Sequence, residues 1–116
     1  MENKRKLLRL RVGDFLEIRS LNEVARIYKA KAQDVTPMGI CFSSEMEWKK
    51  GQVLSIDYFV PDEFDSVKLK IAVVWSEFIS TEEGYFCGGE ITEVEKEKQD
   101  IFTSYYFQKI QSQSHE

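Results

Sequence analysis

The sequence predicts an all-β domain, six short antiparallel strands followed by one α-helix. Three observations carry this. Apolar and polar residues alternate at a period of two through most of residues 15–91. Turn-forming residues break that alternation at close intervals, as in a small barrel or sandwich. Beyond residue 92 the apolar spacing changes to that of a helix.

The elements follow in order. FLEIR (15–19) is the first strand, with Leu16 and Ile18 on one face, and ARIYKAKAQ (25–33) is the second. GICFS (39–43) is the third, with Ile40 and Phe42 together. After a turn at KKG (49–51), QVLSIDYFV (52–60) aligns Leu54, Ile56, Tyr58 and Val60. PDEFDS (61–66) is a polar loop opened by proline. VKLKIAVVW (67–75) points Val67, Leu69, Ile71, Val73 and Trp75 one way, so Trp75 reads first as core and second as a ligand contact. TEEG (81–84) is a turn, and YFCGGEI (85–91) the sixth strand, whose glycine pair predicts a bulge or a close backbone approach. Trp48, beside KKG, reads as a half-exposed turn residue. The helix carries Val94, Ile101, Phe102, Tyr105, Tyr106 and Ile110, and Thr92 with Glu95 forms a capping box that should start it. EVEKEKQD is its solvated face, and QSQSHE a polar end.

With 116 residues the chain suits one domain. Its 42% hydrophobic and 13% aromatic content excludes disorder. No segment approaches a membrane span, and the charged N-terminus is no signal peptide. Cys41 and Cys87, inside strands, are expected to be reduced, buried and cytoplasmic. With one histidine, His115 in the tail, neither a metal centre nor a Ser-His-Asp or Cys-His set is expected, and no enzyme and no cofactor. Residues 1–11, MENKRKLLRLR, hold five bases and one acid, whereas the remaining 105 hold eleven bases against nineteen acids, a net −8. So acidic a body repels duplex DNA.

Two stretches ask for more than packing. In DVTPMG (34–39), Thr36-Pro37-Met38-Gly39 suits a type I turn, and Asp34 could brace it as an Asx motif. The functional reading gives the Asp34 carboxylate the donor edge of a guanine, and the Thr36 hydroxyl and free amides a phosphate oxygen. In KRKLLRLR (4–11), Arg5 and Arg9 stand four apart among Lys4, Lys6 and Arg11. This is a solvated basic arm, or a source of bidentate guanidinium contacts to guanine and phosphate.

RKLLR (5–9), followed by a strand pair and DVTPMG, resembles the PilZ domain family, with its RxxxR and [DN]xSxxG motifs. Arg5 and Arg9 match the arginines, Asp34 the acidic position and Gly39 the glycine, while Thr36 stands where serine is usual. Gly51, VVW (73–75) and GGEI (88–91) match further, and Arg11 sits where proline is common. The resemblance spans nearly the whole chain. It implies a small six-stranded antiparallel β-barrel with a C-terminal α-helix that binds cyclic di-GMP, a bacterial second messenger. It implies a site of Arg5, Arg9, Asp34, Thr36 and Gly39, with Lys4, Lys6, Arg11, Trp75 and Gly89 as accessory residues. Lys4 falls where the family decides between one ligand and a stacked pair. The domain organisation expected is a basic switch segment (1–11) that orders over the ligand, a barrel (12–92), and a helix with a polar tail (93–116). The partner is then a protein of motility or exopolysaccharide control. Two rivals stand: a PilZ-like adaptor without nucleotide, and a single-stranded nucleic-acid barrel, which would need bases and aromatics together on one sheet face.

Overall fold

The computed structural model describes residues 8–63 and 66–114, the side chains of Val24 and Ser114 excepted. Seven strands run in chain order: β1 (Leu10–Arg11), β2 (Phe15–Ser20), β3 (Glu23–Thr36), β4 (Gly39–Ser44), β5 (Val53–Tyr58), β6 (Val67–Ser80) and β7 (Gly84–Val94). A 3₁₀ turn (Lys96–Lys98) leads into α1 (Gln99–Ser114). All pairings are antiparallel, in the order β3-β2-β5-β6-β7-β4, and β4 pairs back onto β3 to close a six-stranded barrel. β1 is an extra strand that pairs with β3 in line with β2, Leu10 opposite Val35 and Arg11 opposite Asp34. The sheet therefore begins inside the segment expected to be a free leader. Among the described residues no helix is long and apolar enough to cross a membrane.

The inward face follows the alternation. Leu16, Ile18, Phe42, Leu54, Ile56, Tyr58, Val67, Leu69 and Ile71 are buried in one core. Onto it α1 lays Phe102, Tyr105 and Tyr106, with Phe102 edge-on to Tyr58 at 5.4 Å. A buried phenol needs a partner. Tyr58 and Tyr105 both donate to Asp14 Oδ2, at 2.6 and 2.5 Å. Burial first, and these bonds next, hold both hydroxyls far above their ordinary pKa.

Among the register shifts of the sheet, two insert a residue beside Asp34 and Trp75. On β3, Ala32 opposes Phe42 but Asp34 opposes Cys41, so Gln33 is inserted. On β6, Val73 opposes Gly89 but Trp75 opposes Gly88, so Val74 is inserted. Such an insertion shifts every later side chain to the other face. Val35 thus joins the core, while Trp75 is 41% exposed and not the core residue its spacing predicts. The bulge foreseen at the glycine pair lies on the facing strand, with Gly88 and Gly89 giving it room. A Cβ on Gly88 would lie 2.2 Å from Trp75 Nε1, and one on Gly89 2.6 Å from Ile71 Cδ1.

Other expectations change too. Thr92 and Glu95 do not cap a helix, because the β6–β7 pair uses them. Thr92 Oγ1 donates to the Lys70 carbonyl (3.2 Å), Glu95 Oε1 accepts from Lys68 N (3.1 Å), and α1 starts only at Gln99. Trp48 is not half-exposed: at 3% exposure it donates its indole N–H to Ser44 Oγ and meets Tyr28 edge-on. Cys87 is buried, but Cys41 is only half-buried; both are free thiols.

Leu10 is fully buried and Leu8 is 58% exposed. Leu10→Ala should therefore cost about 2–5 kcal/mol, as other leucine truncations in cores do. Leu8→Ala should stay within about 0.5 kcal/mol of the parent. Urea unfolding of the two variants checks whether β1 belongs to the cooperative fold.

Candidate functional site

The β3–β4 hairpin shows how the local sequence builds one wall of a site. β3 ends at Thr36, β4 starts at Gly39, and the two residues are paired. Thr36 Oγ1 accepts from the amides of Met38 (3.0 Å) and Gly39 (3.1 Å). The hydroxyl thus braces the turn that Asp34 was expected to brace. Those amides are engaged and not free for an anion, but the Thr36 hydroxyl proton remains available to donate. Among the described residues the Asp34 carboxylate accepts no hydrogen bond and forms no ion pair.

An open cleft of about 490 Å³ lies where this hairpin meets the β6–β7 pair and Arg9, the residue just ahead of β1. Its lining brings together Arg9, Asp34, Thr36, Gly39, Trp75 and Gly89, six of the ten residues singled out in the sequence. Arg11 does not line it; its side chain is exposed, and its carbonyl accepts from Gln113 Nε2 at 3.2 Å. Lys4, Arg5 and Lys6 lie outside the described residues. Gly39 passes close to β7: a Cβ there would sit 3.2 Å from the Gly89 carbonyl, a tight contact.

The lining also holds residues that the sequence did not single out, notably Cys41, Val74, Gly88 and Glu90. Gly88 and Glu90 fall within the GGEI motif and Val74 within VVW, but Cys41 carries no local signal. Cys41 reports the charges around it. Its thiol is pushed up to about 11, by burial first and the Asp34 carboxylate second, against an opposing pull from Arg9. Both charges therefore act at one point of the cleft.

The cleft offers a guanidinium, two carboxylates, a hydroxyl, an exposed indole and a glycine floor. Its volume falls within the roughly 300–1,000 Å³ of small-molecule sites. Among the described residues no group of three His, Cys, Asp or Glu side chains could hold a metal ion. This chemistry suits recognition of a planar heterocycle that presents both donors and acceptors and carries negative charge.

No family model and no curated protein matches the chain in sequence. Solved structures do match in fold. The inhibitor of motility MotI/DgrA of Bacillus subtilis superposes with a TM-score of 0.75 at 13% identity, over 93% of this chain and 52% of that one. MrkH of K. pneumonia in its apo state superposes with a TM-score of 0.70 at 12% identity, over 96% and 52%. The chain thus spans about half the length of each. The likeness extends over nearly the whole of this chain and is one of fold.

The charge arrangement around Cys41 can be tested without a ligand. Asp34→Asn removes a pull that raises the thiol pKa, so more thiolate forms and iodoacetamide should label Cys41 faster at pH 8.5. Arg9→Ala removes the opposing pull and should slow it. Peptide mass spectrometry, with buried Cys87 as the internal reference, reads both rates.

Proposed function

We propose that the cleft binds cyclic di-GMP and that the protein is a receptor for it. One observation supports this most: Arg9, on the approach to β1, and Asp34, on β3, line one cleft of ligand size although 25 positions separate them in the chain. The ligand carries guanine O6 and N7 acceptors and phosphate oxygens for Arg9. It carries guanine N1–H and N2–H donors for Asp34. Thr36 donates its hydroxyl proton to a phosphate oxygen, Gly39 and Gly89 leave the floor open, and the Trp75 indole is a stacking surface for a purine. Arg5 supplies the second guanidinium from the segment ahead of Leu8, with Lys4 and Lys6 beside it.

The switch is narrower than residues 1–11. Leu10 sits in the core and Arg11 in the sheet, so ordering on ligand falls to the residues ahead of Leu8, which would fold over the cleft and alter the surface seen by a partner protein. A partner in motility or exopolysaccharide control fits this reading, and one fold neighbour is an inhibitor of motility.

Titration calorimetry tests the proposal. Cyclic di-GMP should bind with one or two molecules per chain, and GMP should bind far more weakly. Arg9→Ala should lose about 2–5 kcal/mol of binding. Asp34→Ala should lose more than the roughly 1 kcal/mol of a neutral hydrogen bond, since guanine donors are left unpaired. Neither should shift the melting temperature by more than a degree or two, because Arg9 is exposed and Asp34 braces nothing. A wild-type protein that treats cyclic di-GMP and GMP alike overturns the reading.

A further inference from the structure

Among the described residues, α1 makes three polar contacts with the N-terminal stretch. Tyr105 donates to Asp14, Tyr106 donates to the Leu8 carbonyl, and Gln113 donates to the Arg11 carbonyl. The Leu8 contact differs from the others in where it falls. Leu8 immediately precedes Arg9, and Arg9 immediately precedes Leu10, which is fully buried and paired with Val35. Arg9 is therefore bracketed, by a core leucine on one side and a captured carbonyl on the other. The Leu8 side chain itself is exposed and anchors nothing. Tyr106 is almost wholly buried, so its hydroxyl is delivered from the core to a fixed point.

We infer that Tyr106 is a positioning residue for the cleft, holding the backbone ahead of Arg9 so that this side chain stays at the lining. The inference rests on the cyclic di-GMP reading for its ligand, but the bracket itself is a property of the free protein. It also makes α1 part of the binding machinery, because whatever tightens Arg9 against a ligand tightens the docking of Tyr106 by the same free energy. A residue that merely stabilised the fold would change melting without acting through Arg9.

The test is a double-mutant cycle with Tyr106→Phe, which keeps the ring and removes only the hydroxyl, and Arg9→Ala. Tyr106→Phe should weaken cyclic di-GMP binding roughly 3- to 10-fold, the size of one hydrogen bond, and should add nothing in the Arg9→Ala background. Gln113→Ala, at an exposed position, should give a smaller loss with the fold untouched. Equal losses in both backgrounds, or none in either, overturn the inference. A ligand-free arm separates it from the functional reading. Backbone ¹⁵N relaxation should show Arg9 rigid in the wild type, with an order parameter near about 0.85, and falling toward about 0.6 in Tyr106→Phe. If the wild type binds no cyclic di-GMP, the functional reading fails, and this arm alone decides: loss of order upholds the bracket, and an unchanged order parameter removes it.

Discussion

One extra residue on each of two strands decides what this barrel can do. Continued alternation from Ala30 and Ala32 would turn Asp34 into the core, and continued alternation from Val73 would do the same to Trp75. A carboxylate buried without a partner costs several kcal/mol, so the sheet with an uninterrupted register is not a stable alternative for this sequence. Inserting Gln33 removes that cost by moving Asp34 outward and seating Val35 in its place. Inserting Val74 turns the indole outward in the same way. Both changes of face fall beside the same cleft, so the irregularities that satisfy the core also furnish the site.

The facing strands make this possible. Gly88 and Gly89 oppose the Val74 insertion; a side chain at Gly88 would collide with the indole that the insertion turns outward, and one at Gly89 with the core side chain of Ile71. Thr36 does similar service at the hairpin. By supplying an acceptor to the two turn amides it leaves Asp34 unengaged, two residues away on the strand. Backbone irregularity, glycine and hydroxyl are thus separate solutions to one problem, that of keeping polar groups open to a ligand on a sheet whose pairing would otherwise consume or bury them.

This also explains how far the sequence could be read. The strand holding Leu54, Ile56 and Tyr58 is paired in unbroken register on both sides, and its pattern is legible residue by residue. Spacing alone puts Trp75 in the core, since its face depends on Val74, whose insertion shows only against β7, where Trp75 opposes Gly88 thirteen positions on. The Thr92–Glu95 pattern is a genuine helix-start signal, but register with β6 claims both side chains, so tertiary pairing overrides local capping. Trp48 follows the same logic, since its edge-on partner Tyr28 comes from another strand, while its indole N–H finds Ser44 nearby. Local residue chemistry singles out Arg9 and Asp34, but only the resemblance joins them in one site, because periodicity says nothing about which outward residues meet.

Arg9 and Asp34 line a common cleft, yet among the described residues they form no ion pair. A guanidinium able to reach a carboxylate gains little from closing on it at an exposed site, and it loses side-chain freedom in doing so. The wider charge distribution points the same way. The body of the chain is acidic, and Glu90 adds a second carboxylate to the lining. A simple anion would meet that field with only local cationic compensation. A ligand that presents acceptors to the arginine and N–H donors to the carboxylate meets no such conflict, because each group receives its complement at once. On the proposed reading, the separation of the two charges, held by the Gln33 insertion on one side and by the Leu8 carbonyl and the Leu10 side chain on the other, would favour mixed donor–acceptor heterocycles over bare phosphate.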